Sequence, residues 1–410
     1  MKVLLKEGLR AEVQPVIHVA GSKSESNRLL ILQAFFPSLT LKNLSDSDDT
    51  SFLKHGLSTS EENIDVHHAG TAMRFLTAYF ATKEGASVVL KGSDRMHQRP
   101  IGILVDALRS MGADINYLEN EGFPPLKIEG KQLSIDTVEI MANVSSQYIT
   151  ALMLIAPKLS NGLMIELEGE PTSLPYIEMT LSLLQRIGVS CSFSENTIKI
   201  SALEKLAPQT ITVESDWSSA SYFYSLVALS KDLTVTLKSF YAESLQGDSA
   251  LTSIYKKLGV TTTFNASEAS ITLTKTKINH AEQLKLHLID TPDIAQTIAV
   301  TCFGLGIACE LTGLHTLKIK ETDRLLALKT ELEKLGATVA LTSSAIVVQP
   351  SEKINENIVV DTYNDHRMAM AFAPLALRIP LQIKDPNVVS KSFPSFWENL
   401  RKAGISVDYQ

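Results

Sequence analysis

The chain has 410 residues, more than the roughly 100 to 200 of one domain, and this length predicts two domains or an array of repeats. Lys and Arg number 38 against 45 Asp and Glu, a net charge of −7, which excludes binding to nucleic acid or to an anionic membrane through bulk charge. With 44% hydrophobic and 20% charged residues, disorder, collagen and coiled coil are also excluded as descriptions of the whole chain.

The composition also indicates a compartment. Charges interrupt every apolar run in residues 1–10, so no secretory segment is expected. The longest apolar stretch, residues 297–309, is too short and too rich in Gly and Thr to span a bilayer. The 3 cysteines lack Cys-x-x-Cys spacing, which fits buried thiols in a reducing compartment. We therefore expect a cytoplasmic protein without a membrane association.

One pattern recurs along the chain: an amphipathic helix ends in Gly between two apolar residues and leads into a β-rich stretch. Lys or Arg in the last turn suits the helix dipole, and Gly suits the left-handed position after the helix. The alternation that follows, as in residues 338–341 and 345–348, predicts a hairpin. The copies lie about 70 residues apart and end at Gly112, Gly188, Gly259, Gly336 and Gly404.

Each repeat has room for a second helix and strand, so the unit is predicted to be an α/β module that stacks against its copies. Six such modules fit the length. A fainter copy ends at Gly56, where residues 46–68 are too few to hold a full hairpin. We interpret this part as an abbreviated module.

The first polar cluster, residues 21–28, leads into an apolar helix. Its hydroxyls and backbone N–H groups, with Lys23 and Arg28 at a helix N-terminus, suit a phosphate or an oxyanion. The alternative is a Ser N-cap with solvated charges.

Two further clusters precede or open predicted helices. In residues 69–74, Gly70 permits close approach of the backbone to a ligand. In residues 95–100, Arg95 and Arg99 lie four apart at a predicted helix start. Two guanidinium groups repel there unless an anion or a carboxylate neutralises them, which favours a ligand role.

Uncharged donors and a single acid come next. Residues 144–148 suit a hydroxyl- or phosphate-bearing ligand, or form another helix cap. Asp293 stands at the head of an apolar helix, either as a capping carboxylate or as a catalytic base.

Mixed charge precedes two late helices, at residues 320–324 and 364–368. Surface ion pairs are the usual interpretation of such runs. The apolar residues that follow Arg324 and Arg367 favour the rim of a cleft instead, and Lys391 is the last candidate.

Several kinds of site are not indicated. The sequence has no metal-ligand spacing, no dinucleotide-binding glycine motif and no P-loop, so no metal and no organic cofactor is expected. Cysteine is absent from the polar clusters, which disfavours covalent thiol catalysis.

Taken in order, these segments resemble the 5-enolpyruvylshikimate-3-phosphate synthase family of enolpyruvyl transferases. Their joint occurrence by chance is negligible, and they are spread over nearly the whole chain. The matching motifs are Gly-Ser-Lys-Ser-x-Ser-Asn-Arg, Ala-Gly-Thr-Ala-Met-Arg, Arg-Met-x-x-Arg-Pro, Ser-Ser-Gln, Pro-Tyr-Ile-x-x-Thr, Ser-Ser-Ala-Ser-Tyr-Phe, Lys-Glu-Thr-Asp-Arg and Tyr-Asn-Asp-His-Arg-Met.

The resemblance implies an α/β fold of two globular domains, the inside-out α/β barrel of the enolpyruvyl transferases. Each domain would hold three βαβαββ units about a pseudo-threefold axis, with the active site in the cleft between the domains. Residues 1–21 with 215–410 would form one domain, and residues 22–214 the other. The six Gly-terminated modules agree with this organisation.

The implied reaction moves the enolpyruvyl group of phosphoenolpyruvate to the 5-hydroxyl of shikimate 3-phosphate and releases phosphate, through a tetrahedral adduct. It belongs to the shikimate pathway to chorismate and the aromatic amino acids. By resemblance, Asp293 takes the hydroxyl proton, and Glu321 joins Lys23 or Lys391 in proton transfer at the methylene carbon. The implied partners are the two small substrates, and a monomer is expected.

The implied substrate contacts are rich in Arg and Lys because both substrates carry several negative charges. Shikimate 3-phosphate contacts fall on Lys23, Ser24, Arg28, Ser145, Ser146, Gln147, Ser173, Tyr176, Asp293, Thr316 and Lys320. Phosphoenolpyruvate contacts fall on Lys23, Gly70, Arg99, Gln147, Arg324, Arg367 and Lys391. Three further candidates are His68, Thr71 and His366.

Two departures from the family pattern bear on affinity. His68 stands where the family usually has Asn beside phosphoenolpyruvate, and Thr316 replaces an Asn that reaches towards shikimate 3-phosphate. The other residues of the phosphoenolpyruvate site are retained, so glyphosate is expected to compete with this substrate.

Two alternatives share the pattern. The enolpyruvyl transferase that acts on UDP-N-acetylglucosamine has the same fold, but it usually carries a cysteine near residues 95–99, where this chain has none. A non-catalytic anion-binding protein on this scaffold would tolerate loss of the acids, yet Asp293 and Glu321 are both present.

Overall fold

The computed structural model describes residues 1–8, 14–143, 145–169, 171, 173–278 and 283–410. Its chain divides into two units. The discontinuous unit consists of Met1–Gly21 and Glu214–Gln410, and the central unit of Ser22–Val213. Glu214 belongs to the discontinuous unit because its carboxylate accepts hydrogen bonds from Trp217 Nε1 (2.8 Å) and from the backbone N–H of Tyr241 (3.0 Å).

The chain begins with two strands of the discontinuous unit and continues with the central unit. These strands are β1 (Lys2–Glu7) and β2 (Val16–His18). The elements of the central unit are α1 (Lys23–Phe35), β3 (Leu39–Lys42), α2 (Asp48–Ser58), β4 (Asn63–Asp65), α3 (Gly70–Thr82), β5 (Ser87–Lys91), α4 (Gly102–Ser110), β6 (Asp114–Tyr117), β7 (Leu126–Glu129), β8 (Thr137–Met141), α5 (Ser146–Ile155), β9 (Leu163–Glu168), α6 (Leu174–Arg186), β10 (Cys191–Ser194), β11 (Thr197–Ile200) and β12 (Gln209–Thr212).

The chain then returns to the discontinuous unit. Its remaining elements are α7 (Trp217–Leu229), β13 (Thr234–Lys238), α8 (Leu251–Lys256), β14 (Val260–Asn265), β15 (Ser270–Lys275), β16 (Gln283–His287), α9 (Ala295–Leu305), β17 (Ala308–Thr312), α10 (Arg324–Lys334), β18 (Val339–Leu341), β19 (Ile346–Val348), β20 (Val359–Val360), α11 (His366–Phe372), β21 (Leu381–Lys384), α12 (Phe396–Lys402) and β22 (Ile405–Tyr409).

The described residues form six small sheets, five of them with one four-stranded design. In the sheet of order β4-β5-β7-β6, the first two strands are parallel and a hairpin adds antiparallel to the second. The same design recurs in β8-β9-β11-β10, β2-β13-β15-β14, β16-β17-β19-β18 and β20-β21-β1-β22. The predicted βαβαββ module is therefore the repeating unit. In the last of these sheets, the N-terminal strand β1 takes the third place, between β21 and β22, and pairs antiparallel with both.

The sixth sheet is the abbreviated module. It has only the parallel strands β3 and β12, because α2 leads directly into β4, the first strand of the next module. The prediction for Gly56 is wrong: this residue lies inside α2, where a Cβ would meet Leu76 Cδ1 at 2.6 Å. Close packing, not a helix end, accounts for this glycine.

The five other repeat glycines do end helices. Their φ values lie between 78° and 103°, the left-handed region that a Cβ disfavours. The residue just before four of them is the C-cap of the helix, as where the Leu335 N–H donates to the Glu331 carbonyl (3.3 Å), and the C-cap before Gly259 is Lys257.

Each unit has a core of largely apolar helices. In the central unit α3, α5 and α6 pack together, and in the discontinuous unit α9 packs against α7 and α11. Because α3, α5, α7, α9 and α11 are buried along most of their length, polar side chains can reach solvent mainly at their ends, whereas α6 also exposes polar residues along one face. Among the described helices, none combines the length and apolar character required to cross a membrane.

Candidate active site

In the central unit, one group of expected site residues surrounds Arg28 on α1; we call it the Arg28 cluster. The guanidinium, with the residue 3% exposed, donates to Thr180 Oγ1 (2.8 Å) and to the carbonyls of Ser24 (2.8 Å) and Tyr176 (3.3 Å). It also donates to Thr150 Oγ1 (3.3 Å). Burial lowers the pKa of Arg28 to about 10, so the group stays a cation at neutral pH. One buried cation thus joins α1, α5 and α6.

The start of α1 carries Lys23 and a helix cap. Lys23 Nζ lies 3.7 Å from Asp49 Oδ2, and its side chain is 21% exposed. Ser22 Oγ accepts a hydrogen bond from the Glu25 N–H (3.4 Å). The Ser cap is therefore real, and a partly exposed ammonium stands beside it at the positive end of the helix.

Gly70 and Arg99 form a second group, the Gly70 cluster. A Cβ on residue 70 would lie 2.6 Å from Arg99 Nη1, so glycine lets the guanidinium lie against the start of α3. Arg74 braces this arrangement by donating to the Gly70 carbonyl (3.1 Å) and to the Pro100 carbonyl (2.8 Å). Burial, reinforced by the charge of Arg99, lowers the pKa of Arg74 to about 10.

The helix start predicted at residues 95–100 lies later in the chain. A 3₁₀ turn spans Met96–Gln98, and α4 begins only at Gly102. Arg99 is extended (φ −95°, ψ 125°), as the residue before a proline prefers. Arg99 reaches Gly70, whereas Arg95 donates to the exposed Gln98 side chain (3.3 Å).

The neutral donors of α5 lie beside the Gly70 cluster. Gln147 Nε2 donates to Thr71 Oγ1 (3.3 Å), which joins the first turns of α5 and α3. Ser145 caps α5, since its Oγ accepts from the Gln147 N–H (3.3 Å), and Ser146 is buried in the first turn.

Ser173 and His68 lie at the margins of these groups. Ser173 precedes α6 with a left-handed backbone (φ 56°), and its carbonyl accepts from the Tyr176 N–H (3.0 Å). The His68 ring packs edge-on against Phe52, with 5.8 Å between ring centroids.

In the discontinuous unit, five charged residues form the Arg324 cluster: Asp293, Glu321, Arg324, Asp365 and Arg367. Arg324 is the first residue of α10 and is 2% exposed. It donates to Asp365 Oδ2 (2.6 Å), Glu321 Oε2 (2.7 Å) and Asp293 Oδ1 (3.0 Å). Arg367 donates to the Asp293 carbonyl (2.9 Å) and lies 3.3 Å from its Oδ2. One guanidinium therefore holds both the expected base and the expected acid.

Opposing effects set the ionisation of this cluster. Burial works to raise the pKa of Asp293, but the charges of Arg367, Lys320 and Arg324 outweigh it and hold the pKa well below its usual range. For Arg324, burial works to lower the pKa, and the three carboxylates outweigh it and raise the pKa. Since the contacts are buried, removing one partner costs far more than it does in a surface ion pair.

Two lysines approach the same cluster. Lys320 Nζ lies 4.0 Å from Asp293 Oδ1. Lys391, at the end of a 3₁₀ turn, donates to the Asn364 carbonyl (2.6 Å). Because Asn364 immediately precedes Asp365, this bond connects Lys391 to the Arg324 cluster through the backbone.

Thr316 and His366 are the remaining candidates of this unit. Thr316 lies in the 3₁₀ turn 315–319, and its Oγ1 is buried without a hydrogen-bond partner among the described residues. His366 is 2% exposed in the first turn of α11, with Nδ1 3.8 Å from Asp365 Oδ1.

Sequence reasoning did not single out Asp365 or Arg74. Asp365 is fully buried and also accepts from the Arg367 N–H (2.8 Å), as an N-cap of α11. The sequence feature that could have indicated Asp365 is an acid directly before an apolar helix. The feature that could have indicated Arg74 is a single cation within the apolar sequence of α3.

Asp248 and Ser218 were also missed. Ser218 Oγ donates to the buried Asp248 carboxylate and accepts from Arg367 Nη2 (3.4 Å). Burial, with the charge of Asp293 next in importance, raises the pKa of Asp248 to about 7. Within the described chain, no three His, Cys, Asp or Glu side chains are grouped so as to hold a metal ion.

Known proteins are similar over nearly the whole chain. The family model described as EPSP synthase (3-phosphoshikimate 1-carboxyvinyltransferase) matches residues 39–400. A 3-phosphoshikimate 1-carboxyvinyltransferase from Bacteroides fragilis is 45% identical over 401 residues, 97% of this chain and 97% of that protein. One from Paraburkholderia phymatum is 36% identical over 413 residues, 93% of this chain and 95% of that protein.

A solved structure of EPSP synthase from Acinetobacter baumannii has a similar fold. The TM-score is 0.77 at 21% identity, and the match covers 100% of both chains. The two-domain α/β fold implied by the sequence is thereby confirmed.

Proposed function

This chain belongs to the EPSP synthase family, the 3-phosphoshikimate 1-carboxyvinyltransferases, and on that premise we propose that the Arg28, Gly70 and Arg324 clusters are its catalytic machinery. It is a transferase that moves the enolpyruvyl group of phosphoenolpyruvate to the 5-hydroxyl of shikimate 3-phosphate and releases phosphate, a step towards the aromatic amino acids. The observation that supports our assignment most is the position of Arg324, a buried cation bonded to both Asp293 and Glu321.

Both substrates are anions, and the chain as a whole is not basic, so local cations must neutralise them. We assign shikimate 3-phosphate to Lys23, the Arg28 cluster and the hydroxyl and amide donors of α5. Arg28 already makes four hydrogen bonds inside the central unit. Its contribution is therefore to hold three helices together and to add positive charge beside the partly exposed Lys23.

We assign phosphoenolpyruvate to Arg99 and Gln147 in the central unit and to Arg324, Arg367 and Lys391 in the discontinuous unit. Guanidinium groups suit this ligand because their planar forks match carboxylate and phosphate oxygens. Arg99 lies flat against the glycine that opens α3, which leaves its outer face for an anion.

Asp293 is the proposed base. While three cations hold it, its pKa lies well below the usual range, and such a carboxylate is a weak base. An anion that engages Arg367 or Lys320 draws positive charge away from Asp293, and the pKa of the carboxyl then rises. Binding of the anionic substrates therefore activates the base. The 5-hydroxyl oxygen adds to C2 of phosphoenolpyruvate as its proton passes to Asp293.

Addition at C2 requires a proton at the methylene carbon C3, which we assign to Glu321 acting with Lys23 or Lys391. The tetrahedral adduct then loses phosphate, and one proton of the new methyl group leaves as the carbon–oxygen bond to phosphate breaks. The same acid, now a base, takes that proton and restores the vinyl ether. The proton held by Asp293 passes to the released phosphate, which returns the carboxylate to its ionised form.

A phosphate-release assay tests the function. Phosphoenolpyruvate is supplied with shikimate 3-phosphate in one reaction and with UDP-N-acetylglucosamine in another, and products are identified by mass spectrometry. Phosphate and an enolpyruvyl product are expected only with shikimate 3-phosphate. Turnover of the UDP-sugar, or binding of shikimate 3-phosphate without phosphate release, contradicts the assignment.

We also propose that the chain acts as a monomer in the cytoplasm. All three cysteines carry free thiols, as is usual in a reducing compartment. Sedimentation at working concentration tests the oligomeric state, and the mass of a dimer would contradict the proposal.

A further inference from the structure

Glu331 has no assigned role, yet it lies on the same face of α10 as Arg324, seven residues further along. The residue is fully buried. Its carboxylate accepts hydrogen bonds from the Tyr363 O–H (2.5 Å), from Lys334 Nζ (2.8 Å) and from the Asp361 N–H (3.1 Å). Two of these three donors belong to the segment that leads into the Arg324 cluster.

That segment contains a strained turn. Tyr363 (φ 54°) and Asn364 (φ 56°) are both left-handed, a conformation that Asn adopts readily but that a bulky residue such as Tyr adopts rarely and at a cost. Glu331 holds the turn at its start. Arg324 holds it at its end through Asp365 (2.6 Å). The two ends of α10 thus fix the turn between them.

The turn determines the positions of two groups assigned to phosphoenolpyruvate. The Asn364 carbonyl accepts from Lys391 Nζ (2.6 Å), and this carbonyl points where it does because residue 364 is left-handed. The next residue, Asp365, accepts from the Arg367 N–H (2.8 Å). If the turn relaxed to ordinary backbone angles, the Asn364 carbonyl that accepts from Lys391 would be displaced.

We propose that Glu331 and Tyr363 are positioning residues for phosphoenolpyruvate, and that their hydrogen bond keeps the Tyr363–Asn364 turn left-handed and so fixes the Lys391 ammonium. Neither residue belongs to the substrate contacts assigned above. The inference rests on the proposed role of Lys391 in binding phosphoenolpyruvate.

Tyr363→Phe tests the proposal with little risk to folding, because the ring is 37% exposed and only the O–H donor is lost. We expect KM for phosphoenolpyruvate to rise about tenfold, the effect of one lost hydrogen bond to a charged group. KM for shikimate 3-phosphate is expected to stay near the wild-type value, and the thermal midpoint is expected to fall by no more than about a few degrees. Glu331→Gln, which keeps the size of the side chain, is expected to change KM in the same direction.

Lys384→Gln is the matched control. Lys384 Nζ lies 3.3 Å from Asp361 Oδ1 with its side chain 52% exposed, so this change breaks an ion pair of the same segment without touching Glu331. Wild-type KM values are expected. An equal rise of KM in this control overturns the specific role of the Glu331–Tyr363 bond.

A double-mutant cycle separates positioning from a purely structural role. In a Lys391→Met background, Tyr363→Phe is expected to raise KM for phosphoenolpyruvate no further, because its effect passes through Lys391. If Tyr363→Phe raises KM for phosphoenolpyruvate by the same factor in the Lys391→Met background as in the wild type, the proposal is overturned. It is also overturned if Tyr363→Phe lowers the thermal midpoint and leaves KM unchanged. A wild-type chain that releases no phosphate overturns the proposed function itself, whereas an active chain insensitive to Tyr363→Phe overturns this inference alone.

Discussion

Replacing Asp293 by Asn removes a carboxylate charge and changes little else. The amide keeps the size of the side chain, and its oxygen can still accept from Arg324 Nη1, 3.0 Å away in the native chain. The backbone carbonyl of residue 293 still accepts from Arg367 Nη1 (2.9 Å). We therefore expect Asp293→Asn to fold and to bind shikimate 3-phosphate while losing turnover.

The size of the loss follows from the role. A general base contributes about 10²- to 10⁴-fold to a rate, so kcat is expected to fall by about that factor. Stability is expected to fall by only about 1–3 kcal/mol, since Asp365 and Glu321 still neutralise Arg324 at 2.6 and 2.7 Å. Because the folded pKa of Asp293 is depressed, its contribution is present above the unfolded pKa of about 3.9 and is lost as pH falls. The stabilities of variant and wild type therefore converge in acid.

The assay is phosphate release at saturating substrates, with shikimate 3-phosphate binding measured by titration calorimetry. Asp290→Asn serves as the control, since Asp290 is an exposed acid three residues earlier in the chain. A kcat for Asp293→Asn within tenfold of the wild type would refute the base role. So would a loss of shikimate 3-phosphate binding that accounts for the whole fall in activity.

Three other changes test the clusters. Arg324→Met leaves the buried Asp365 without its cation and is expected to lower the free energy of unfolding by about 3–5 kcal/mol; an unchanged urea midpoint would contradict this. Gly70→Ala brings a Cβ within 2.6 Å of Arg99 Nη1 and so displaces the guanidinium. Steady-state kinetics are expected to show that KM for phosphoenolpyruvate rises about tenfold. An unchanged KM would contradict a role of Arg99 in binding. Since the folded pKa of Asp248 is raised to about 7, this group stabilises the protein fully below its unfolded pKa of about 3.9 and progressively less as pH rises to about 7. In urea titrations, the wild type is expected to lose more stability between pH 5 and pH 8 than Asp248→Asn does, because the variant lacks the titrating carboxyl. An equal loss in both proteins would contradict this role of Asp248.

The repeat could be recognised in the sequence because its signals are local. A helix ends at Gly404 or Gly336 through the backbone freedom of one residue and the dipole of the preceding turn, and both signals lie within a few residues of the helix end. Gly56 also follows basic residues, Lys54 and His55, but it is glycine because it contacts Leu76 of another helix, and the order of residues does not reveal that contact.

The candidate site was predictable at the level of its motifs. Each polar cluster stands where an apolar helix begins, so the sequence indicated which residues lie at helix N-termini. It did not indicate how α4 begins, because the extended Arg99 before Pro100 moved the helix start to Gly102. The assignment of each motif to a substrate came from the family resemblance and stays a proposal.

Sequence alone determined the α/β class, the module and the identity of the charged residues, since each depends on neighbours a few positions apart. Tertiary structure decided which charges meet. Arg28 donates to Thr180, 152 positions away, and Arg324 bonds to Asp365, 41 positions away. The low pKa of Asp293 and the strained turn beside Glu331 depend on such distant partners. Coulomb energy and hydrogen bonding depend on distance in space and on burial. The spacing of residues along the chain determines neither the distance nor the burial.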